Sequence, residues 1–399
     1  MFYSATSPPK LFTLILLSAL SIISLNLFVA SLSNIADEFQ TDYALVNLAI
    51  AGYAGMTAVL LLVIGPLSDR FGRRPIIIAG LIIFILASLG CLLATDISTF
   101  LIFRLLQGAI ISGSVLSNAV VRDMVPAREA ASTLGYLAMA WAVAPMLGPM
   151  IGGVLDGLFG WRANFVTFAG LGVVMLSLCW VDLGETNRTP SETFAKQFET
   201  YPELFRSRRF WGYALCMAFS TGAFYAFLGG VPLVAKFMFG MSTTSLGFYI
   251  GTITAGFLLG SFLSGRYAKH YPLTTMMITG RVVACVGLMA GLGLFLSDVV
   301  HVYSLFGACV FVGVGNGITM PSSSAGVMSV RPKLAGSASG LAGALTVAGG
   351  AVMASITGTL VTEQNGVYPL LGMMLFSSLM GLAAALYVLW ADRAEKSGY

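Results

Sequence analysis

The chain has 399 residues, of which 57% are hydrophobic and only 10% are charged, and its formal net charge at pH 7 is +4. Soluble domains average about 25% charged residues, so the composition excludes an ordinary soluble protein, and a lipid bilayer has to solvate much of the surface. A membrane-spanning helix needs roughly 20 apolar residues. The chain is therefore long enough for about a dozen spans with short loops.

The cysteines and histidines give no sign of a metal or redox site. Each cysteine lies alone in an apolar run, and the pattern predicts small buried hydrophobic residues rather than disulfides or metal ligands. These cysteines are Cys91, Cys179, Cys216, Cys285 and Cys309. Only two histidines are present. We therefore expect no metal, and no motif calls for a cofactor.

Apolar stretches bounded by charged or turn residues predict twelve membrane spans. They cover residues 11–32, 45–67, 75–95, 99–121, 131–155, 163–183, 210–235, 245–268, 273–296, 302–325, 335–360 and 367–390. The first run follows Lys10 and is longer than the 7–15 residues typical of a signal-peptide core. We therefore expect it to be retained as the first span.

The basic residues predict the orientation of the spans. If the N-terminus is cytoplasmic, all but four of the 21 lysines and arginines fall in the inner segments. Arg162 and Lys236 lie in outer loops, and Arg104 and Arg281 lie within spans. This bias places both termini in the cytoplasm. The basic residues are spread along the inner loops, so a nucleic-acid partner is not expected.

The longest polar stretch divides the spans six and six. It covers residues 184–209 and predicts a cytoplasmic linker between an N-terminal six-helix half, residues 1–183, and a C-terminal half, residues 210–399. Paired six-helix repeats are typical of transporters that bind substrate at the repeat interface. The expected fold class is an all-α membrane protein with twelve transmembrane helices in two six-helix halves.

The loop after span 2 carries the most specific motif, GPLSDRFGRR over residues 65–74. Its defining residues are Gly65, Asp69, Arg70, Gly72, Arg73 and Arg74. The sequence resembles the loop motif GxLxDRxGRR of the major facilitator superfamily at every defining position. The resemblance implies that the acid contacts the start of span 11, near residues 335–337, where the helix macrodipole attracts a carboxylate. Asp123 is the expected partner of Arg73 in a latch that closes the cytoplasmic side.

Span 4 contains the sequence RLLQG at residues 104–108, which resembles the superfamily's RxxQG motif. An arginine within a span is costly and is usually functional. The alternative is that Arg104 snorkels, since it lies only about 6 Å below the outer end of its span. For Arg281, nearer the inner end of span 9, we expect snorkelling or helix bracing.

Span 5 carries the sequence PMLGPMIGG at residues 145–153, which resembles the GPxxGG motif of exporters in the superfamily. Its defining residues are Pro145, Gly148, Pro149, Gly152 and Gly153. The alternative is a generic face of small residues for helix packing, but that reading does not account for the spacing.

Further segments at residues 121–123, 183–186, 316–321 and 335–341 narrow the resemblance. With the motifs above they resemble the twelve-span drug:proton antiporters of the bicyclomycin and chloramphenicol resistance type. That resemblance implies proton-coupled efflux of small amphipathic molecules by a multi-pass monomer in the bacterial inner membrane. The expected partners are a small-molecule substrate, protons and the lipid bilayer.

Span 1 departs from that family. Asn26 stands where the family commonly has an aspartate, and no acidic residue lies mid-membrane. At a depth of about 9 Å, Asn26 could pair with Arg104. Candidates for the substrate and proton pathway are Asn26, Tyr53, Met56, Arg104, Asn118, Phe224, Tyr225, Asn316 and Thr319. For each of them the alternative role is helix packing.

Other functions remain open at this point. The same fold could import a metabolite or nucleoside, or it could serve as a non-transporting receptor or scaffold. The intact loop motif and span 5 motif argue against a receptor, because a sensor does not need a gating latch. An enzyme is not expected, because the sequence has no recognisable nucleophile–base or metal constellation.

Overall fold

The computed structural model describes residues 9–124, 147–187, 201–268, 270–331 and 335–396. Within these ranges the chain is almost entirely helical and contains no β-strand. Eleven helices in these ranges are long and apolar enough to cross a membrane, and a shorter apolar helix accompanies them. This arrangement agrees with the predicted twelve-span all-α fold.

The helices before residue 188 form the first group. They are α1 Leu11–Asn26, α2 Leu32–Glu38, α3 Tyr43–Phe71, α4 Arg73–Leu93, α5 Ile97–Leu106, α6 Ile111–Met124, α7 Leu147–Phe159 and α8 Arg162–Asp182. Short 3₁₀ turns at Val29–Ser31 and Gln107–Ile110 join α1 to α2 and α5 to α6. Each of these pairs therefore makes one interrupted span. The first span runs to Glu38, beyond the predicted end at residue 32.

The helices after residue 200 form the second group. They are α9 Tyr201–Phe205, α10 Arg208–Phe239, α11 Thr243–Tyr267, α12 Leu273–Leu296, α13 Val302–Val330, α14 Ala335–Leu360 and α15 Val367–Lys396. Prolines lie inside α3, α10 and α13, at Pro66, Pro232 and Pro321. Membrane helices tolerate them because neighbouring groups satisfy the freed backbone carbonyls.

The connections give the bundle two ends. The proximal end holds the described chain ends, the α3–α4 turn and the start of α10, and the distal end holds the α2–α3 and α10–α11 turns. The two groups contact each other chiefly through α3 against α14 and through α7 against α11. Span 5 is described only from Leu147, so predicted residues 131–146 lie outside the described ranges.

Candidate transport site and gates

Arg104 is the centre of a polar network inside the first group of helices. Its side chain is 0% exposed, so it does not snorkel. Its guanidinium donates to Gln107 Oε1 at 2.6 Å, to the Ser24 carbonyl at 2.7 Å and to the Ala49 carbonyl at 3.3 Å. Gln107 in turn donates to Ser88 Oγ at 2.7 Å. One arginine thus ties four spans together.

Two aromatic rings complete the surroundings of Arg104. The guanidinium carbon lies 4.2 Å from the ring centroids of both Phe28 and Tyr53, within the range of cation–π attraction. The Tyr53 hydroxyl shares a 2.5 Å hydrogen bond with Ser24 Oγ. Within the described residues no carboxylate pairs with this arginine. Its charge is therefore balanced by carbonyl dipoles and ring faces.

The expected pairing of Asn26 with Arg104 is wrong. The Asn26 amide donates to the Ile22 carbonyl one turn back at 2.9 Å, and its Oδ1 is buried without a partner among the described residues. Asn26 is the last residue of α1 and lies on the face that packs against α7, where a Cβ on Gly148 would lie 3.1 Å from the Asn26 Cβ. Asn26 is therefore a helix-packing residue in this conformation.

Arg281 forms a second buried polar cluster, in the second group of helices. It is also 0% exposed, so the snorkelling expectation is wrong and helix bracing is what the structure has. It donates to Asn316 Oδ1 at 2.5 Å and to Thr319 Oγ1 at 3.1 Å, and Asn316 donates to the Ser220 carbonyl at 3.0 Å. Asn316 and Thr319, which were expected in the pathway, therefore accept hydrogen bonds from Arg281.

The other pathway candidates lie on three different spans. Met56 of α3, Asn118 of α6 and Phe224 of α10 are half-buried, and Tyr225 is buried. Tyr225 lies against Gly350 of α14, and Met56 lies against Gly108. Tyr225 and Met56 thus have packing neighbours, and contact of any of the four with a substrate stays a prediction.

The α3–α4 turn brings the charged residues of the loop motif together. Arg73 lies 2.5 Å from Asp69 through Nη1 and 3.3 Å from Asp123 through Nε. The structure therefore has the expected Arg73–Asp123 contact. The side chains at residues 335–337 lie outside the described part of the chain, so the expected contact of Asp69 with the start of α14 stays a prediction.

Glu185 makes a contact at the start of α4 that the sequence did not predict. Its carboxylate accepts hydrogen bonds from the backbone N–H groups of Arg73 at 2.9 Å and Arg74 at 3.1 Å, and so caps the first turn of α4. A carboxylate is favourable there because those N–H groups have no partner within the helix. Gly72 has φ +93°, and a Cβ at this position would lie 2.4 Å from Glu185 Oε2. The sequence signal was the LGET segment, which gave no partner by itself.

The span 5 motif places α7 in close contact with both helix groups. A Cβ on Gly152 would lie 1.6 Å from the Leu27 carbonyl oxygen, and one on Gly153 would lie 2.3 Å from the Thr243 carbonyl oxygen. Thr244 also donates to the Gly153 carbonyl at 3.0 Å. Gly152 thus lets α7 pack directly against the backbone at the break in span 1, and Gly153 lets it pack against the backbone at the start of α11. Pro145 lies outside the described residues.

Side chains of the first group bond to the second group at the distal end. Asn47 is fully buried and donates to the Ala354 carbonyl at 2.6 Å. Tyr43 donates to the Gly229 carbonyl at 3.0 Å. Lys236 pairs with Asp37 across the same gap. These contacts of α2 and α3 with α10 and α14 close the distal end of the bundle.

Comparison with known proteins identifies the family. The family model described as Major Facilitator Superfamily matches residues 14–354. The chain belongs to the major facilitator superfamily. It is a multi-pass membrane protein of that family, whose members are transporters.

Similar proteins include several named for drug resistance. Multidrug resistance protein MdtL of Escherichia coli O45:K1 is 31% identical over 80% of this chain and 81% of its own length. Multidrug resistance protein D of Escherichia coli K12 is 28% identical over 94% of each chain. A bicyclomycin resistance protein homolog of Haemophilus influenzae is 26% identical over 87% and 88%.

Solved structures agree on the fold. A bacterial homolog of the human lysosomal transporter Spinster, in an inward-facing unoccupied conformation, superposes with a TM-score of 0.77 at 18% identity, covering 96% of both chains. A D-xylose-proton symporter gives 0.75 at 15% identity, over 95% of this chain and 96% of that one. At such identities the similarity concerns the fold alone.

Proposed function

We propose that this transporter exports small amphipathic, drug-like or natural-product molecules in exchange for protons. The observation that carries the proposal is similarity over four-fifths or more of the chain to proteins named for multidrug and bicyclomycin resistance. The exporter-type glycines of α7, which fit both helix groups at the distal end, support the same direction of transport.

The proposed cycle is alternating access between two halves, residues 1–183 and 210–399, linked by residues 184–209. The proximal end, with its many basic residues, faces the cytoplasm of a bacterial inner membrane by the positive-inside rule. The distal contacts of Asn47, Tyr43 and Lys236 then form the outer gate. The ion pairs of Arg73 with Asp69 and Asp123, and the Glu185 cap of α4, belong to the inner gate. Substrate and proton are exchanged as the two gates open in turn.

The buried charges favour neutral, zwitterionic or anionic substrates. Arg104 and Arg281 are both fully buried, and within the described residues neither has a carboxylate partner. A cation held about 8 Å from one guanidinium is disfavoured by about 2 kcal/mol at an effective dielectric of 20. That corresponds to about a thirtyfold loss of affinity. Lipophilic cations should therefore be poor substrates.

The test is a resistance and transport panel in a strain that lacks its own efflux pumps. Expression should raise resistance to neutral phenicols. Everted vesicles with an imposed proton gradient should accumulate labelled phenicol and stop when the gradient is collapsed. Depletion in vesicles with accumulation in intact cells would mean import and would overturn the proposal.

A further inference from the structure

Two cavities meet at the proximal start of α10. One has a volume of about 510 Å³ and is lined mainly by charged side chains, among them Arg206, Arg208, Arg209 and Arg331. The other, of about 460 Å³, is an apolar groove between α10 and α15. Arg206 and Arg208 line both. A positively charged site therefore continues directly into an apolar one.

The charges of the first cavity are only partly balanced. Arg331 pairs with Glu203 at 2.8 Å, and Arg209 pairs with Asp392 at 2.8 Å. Arg206 and Arg208 are exposed and have no ion-pair partner among the described residues. Two positive charges thus remain at the point where the two cavities join. This arrangement is complementary to a single anionic group such as a phosphodiester.

The groove has the shape and chemistry for an acyl chain. Its α10 wall runs from Trp211 through Leu215 to Phe219, about 12 Å along the helix axis. Met380 and Tyr387 of α15 form the opposite wall. Trp211 stands at the top, where its indole donates to the Phe205 carbonyl at 2.8 Å, and tryptophan is common at the level of lipid headgroups. The groove thus leads from headgroup level into the hydrocarbon.

We propose that this site binds an anionic phospholipid. The headgroup phosphate lies between Arg206 and Arg208, and one acyl chain occupies the groove between α10 and α15. Basic pockets between membrane helices are suited to anionic headgroups. The adjoining groove means that a tightly bound ligand also carries an acyl chain. A free phosphate would use the arginines alone, and a zwitterionic lipid would use mainly the groove.

Native mass spectrometry of the full-length protein tests the headgroup. Phosphatidylglycerol is titrated against phosphatidylcholine with matched chains, for the parent and for Arg206→Gln/Arg208→Gln. At about 1 kcal/mol per basic residue near an anionic surface, the double variant should bind phosphatidylglycerol about thirtyfold more weakly, with phosphatidylcholine unchanged. Lys10→Gln/Arg266→Gln is the control, because it removes the same charge from exposed proximal side chains elsewhere. It should bind like the parent.

A second pair of variants tests the acyl chain. Ala383 is exposed and lines the groove. Ala383→Phe should fill it and weaken phosphatidylglycerol binding at least fivefold. Ala79→Phe, on the exposed face of α4, is the control and should have no effect. Glycerol 3-phosphate, which has the headgroup charge without a chain, should not compete at millimolar concentration.

Three results would overturn the proposal. They are equal binding of the two lipids by the parent, equal binding by the two double variants, and full competition by glycerol 3-phosphate. Size-exclusion profiles of all variants show whether each is folded. The single variants Arg206→Gln and Arg208→Gln provide the same comparison if the double variant does not fold.

Discussion

Replacing Gly358 by alanine should force the distal gate open. Gly358 lies on α14 directly against Asn47 of α3, and a Cβ there would lie only 2.1 Å from Asn47 Nδ2 and 2.7 Å from its Cγ. Asn47 is fully buried and already holds the Ala354 carbonyl at 2.6 Å, so its side chain has little room to move. The two helices must separate to accept the methyl group.

The size of the effect follows from the contact. Overpacking of a well-packed site costs about 1–3 kcal/mol, and separation of the helices also weakens the Asn47 hydrogen bond, which contributes about 1 kcal/mol. A net change of about 2 kcal/mol lowers the ratio of closed to open distal gate about thirtyfold. Asn47→Ala in the Gly358→Ala background removes the clashing amide and should recover part of the closure.

The assay is cysteine labelling in intact cells. Ala51 lies one turn deeper on the same face of α3 as Asn47 and is buried, so Ala51→Cys should react with an impermeant maleimide only when the distal gate opens. The five native cysteines are all buried, so their background reaction should be low. Gly358→Ala should label about thirtyfold faster than the parent carrying Ala51→Cys.

Gly343→Ala is the matched control. It lies on the same helix, and among the described residues no atom stands within 4 Å of the added Cβ. It should leave the labelling rate unchanged. If Gly358→Ala labels at the parent rate, or if the added Asn47→Ala gives no slowing, Asn47 and Gly358 do not control the gate.

Four further variants test the buried arginines and the proximal gate. Arg104→Lys should lower phenicol efflux at least tenfold at equal expression, because lysine cannot reproduce the planar fork that reaches three acceptors between two rings; parental efflux would contradict this role. Arg281→Met should raise efflux of a quaternary ammonium dye relative to a neutral phenicol by about tenfold, because it removes one buried positive charge. An unchanged ratio of the two effluxes would show that Arg281 does not contribute to substrate selection. Glu185→Gln leaves one acceptor oxygen where the carboxylate supplies two. The free energy of unfolding should fall by about 1 kcal/mol, and the thermal midpoint of the purified protein should fall by a few degrees. An unchanged midpoint would show that the cap contributes nothing. Asp69→Asn should impair efflux without loss of membrane insertion, because the amide loses its charge attraction to the neighbouring arginine; full efflux by a well-expressed variant would contradict the latch.

The sequence determined the class of protein by composition and by motifs that are local in the chain. Spans are set by apolar length, because each must satisfy its own backbone hydrogen bonds in lipid. The loop motif and the span 5 glycines could be recognised in the sequence because the residues of each motif are close together in the chain. The Arg73–Asp123 contact could be expected because Arg73 precedes span 3 and Asp123 follows span 4, at span ends on the same side of the membrane.

Only the tertiary structure decided which distant side chains meet. Asn26 and Arg104 have similar predicted depths, but Asn26 bonds to the Ile22 carbonyl and packs against Gly148 of α7. Depth alone does not show which way a side chain points around its helix. Glu185 lies 112 residues from Arg73, so its cap depends on how span 6 packs against span 3. Arg281 lies within span 9, nearer its inner end, and it is completely buried. Asn316 and Thr319 of the neighbouring helix α13 accept its hydrogen bonds. Hydropathy fixes how long a helix is in the membrane, whereas packing fixes its rotation and its neighbours.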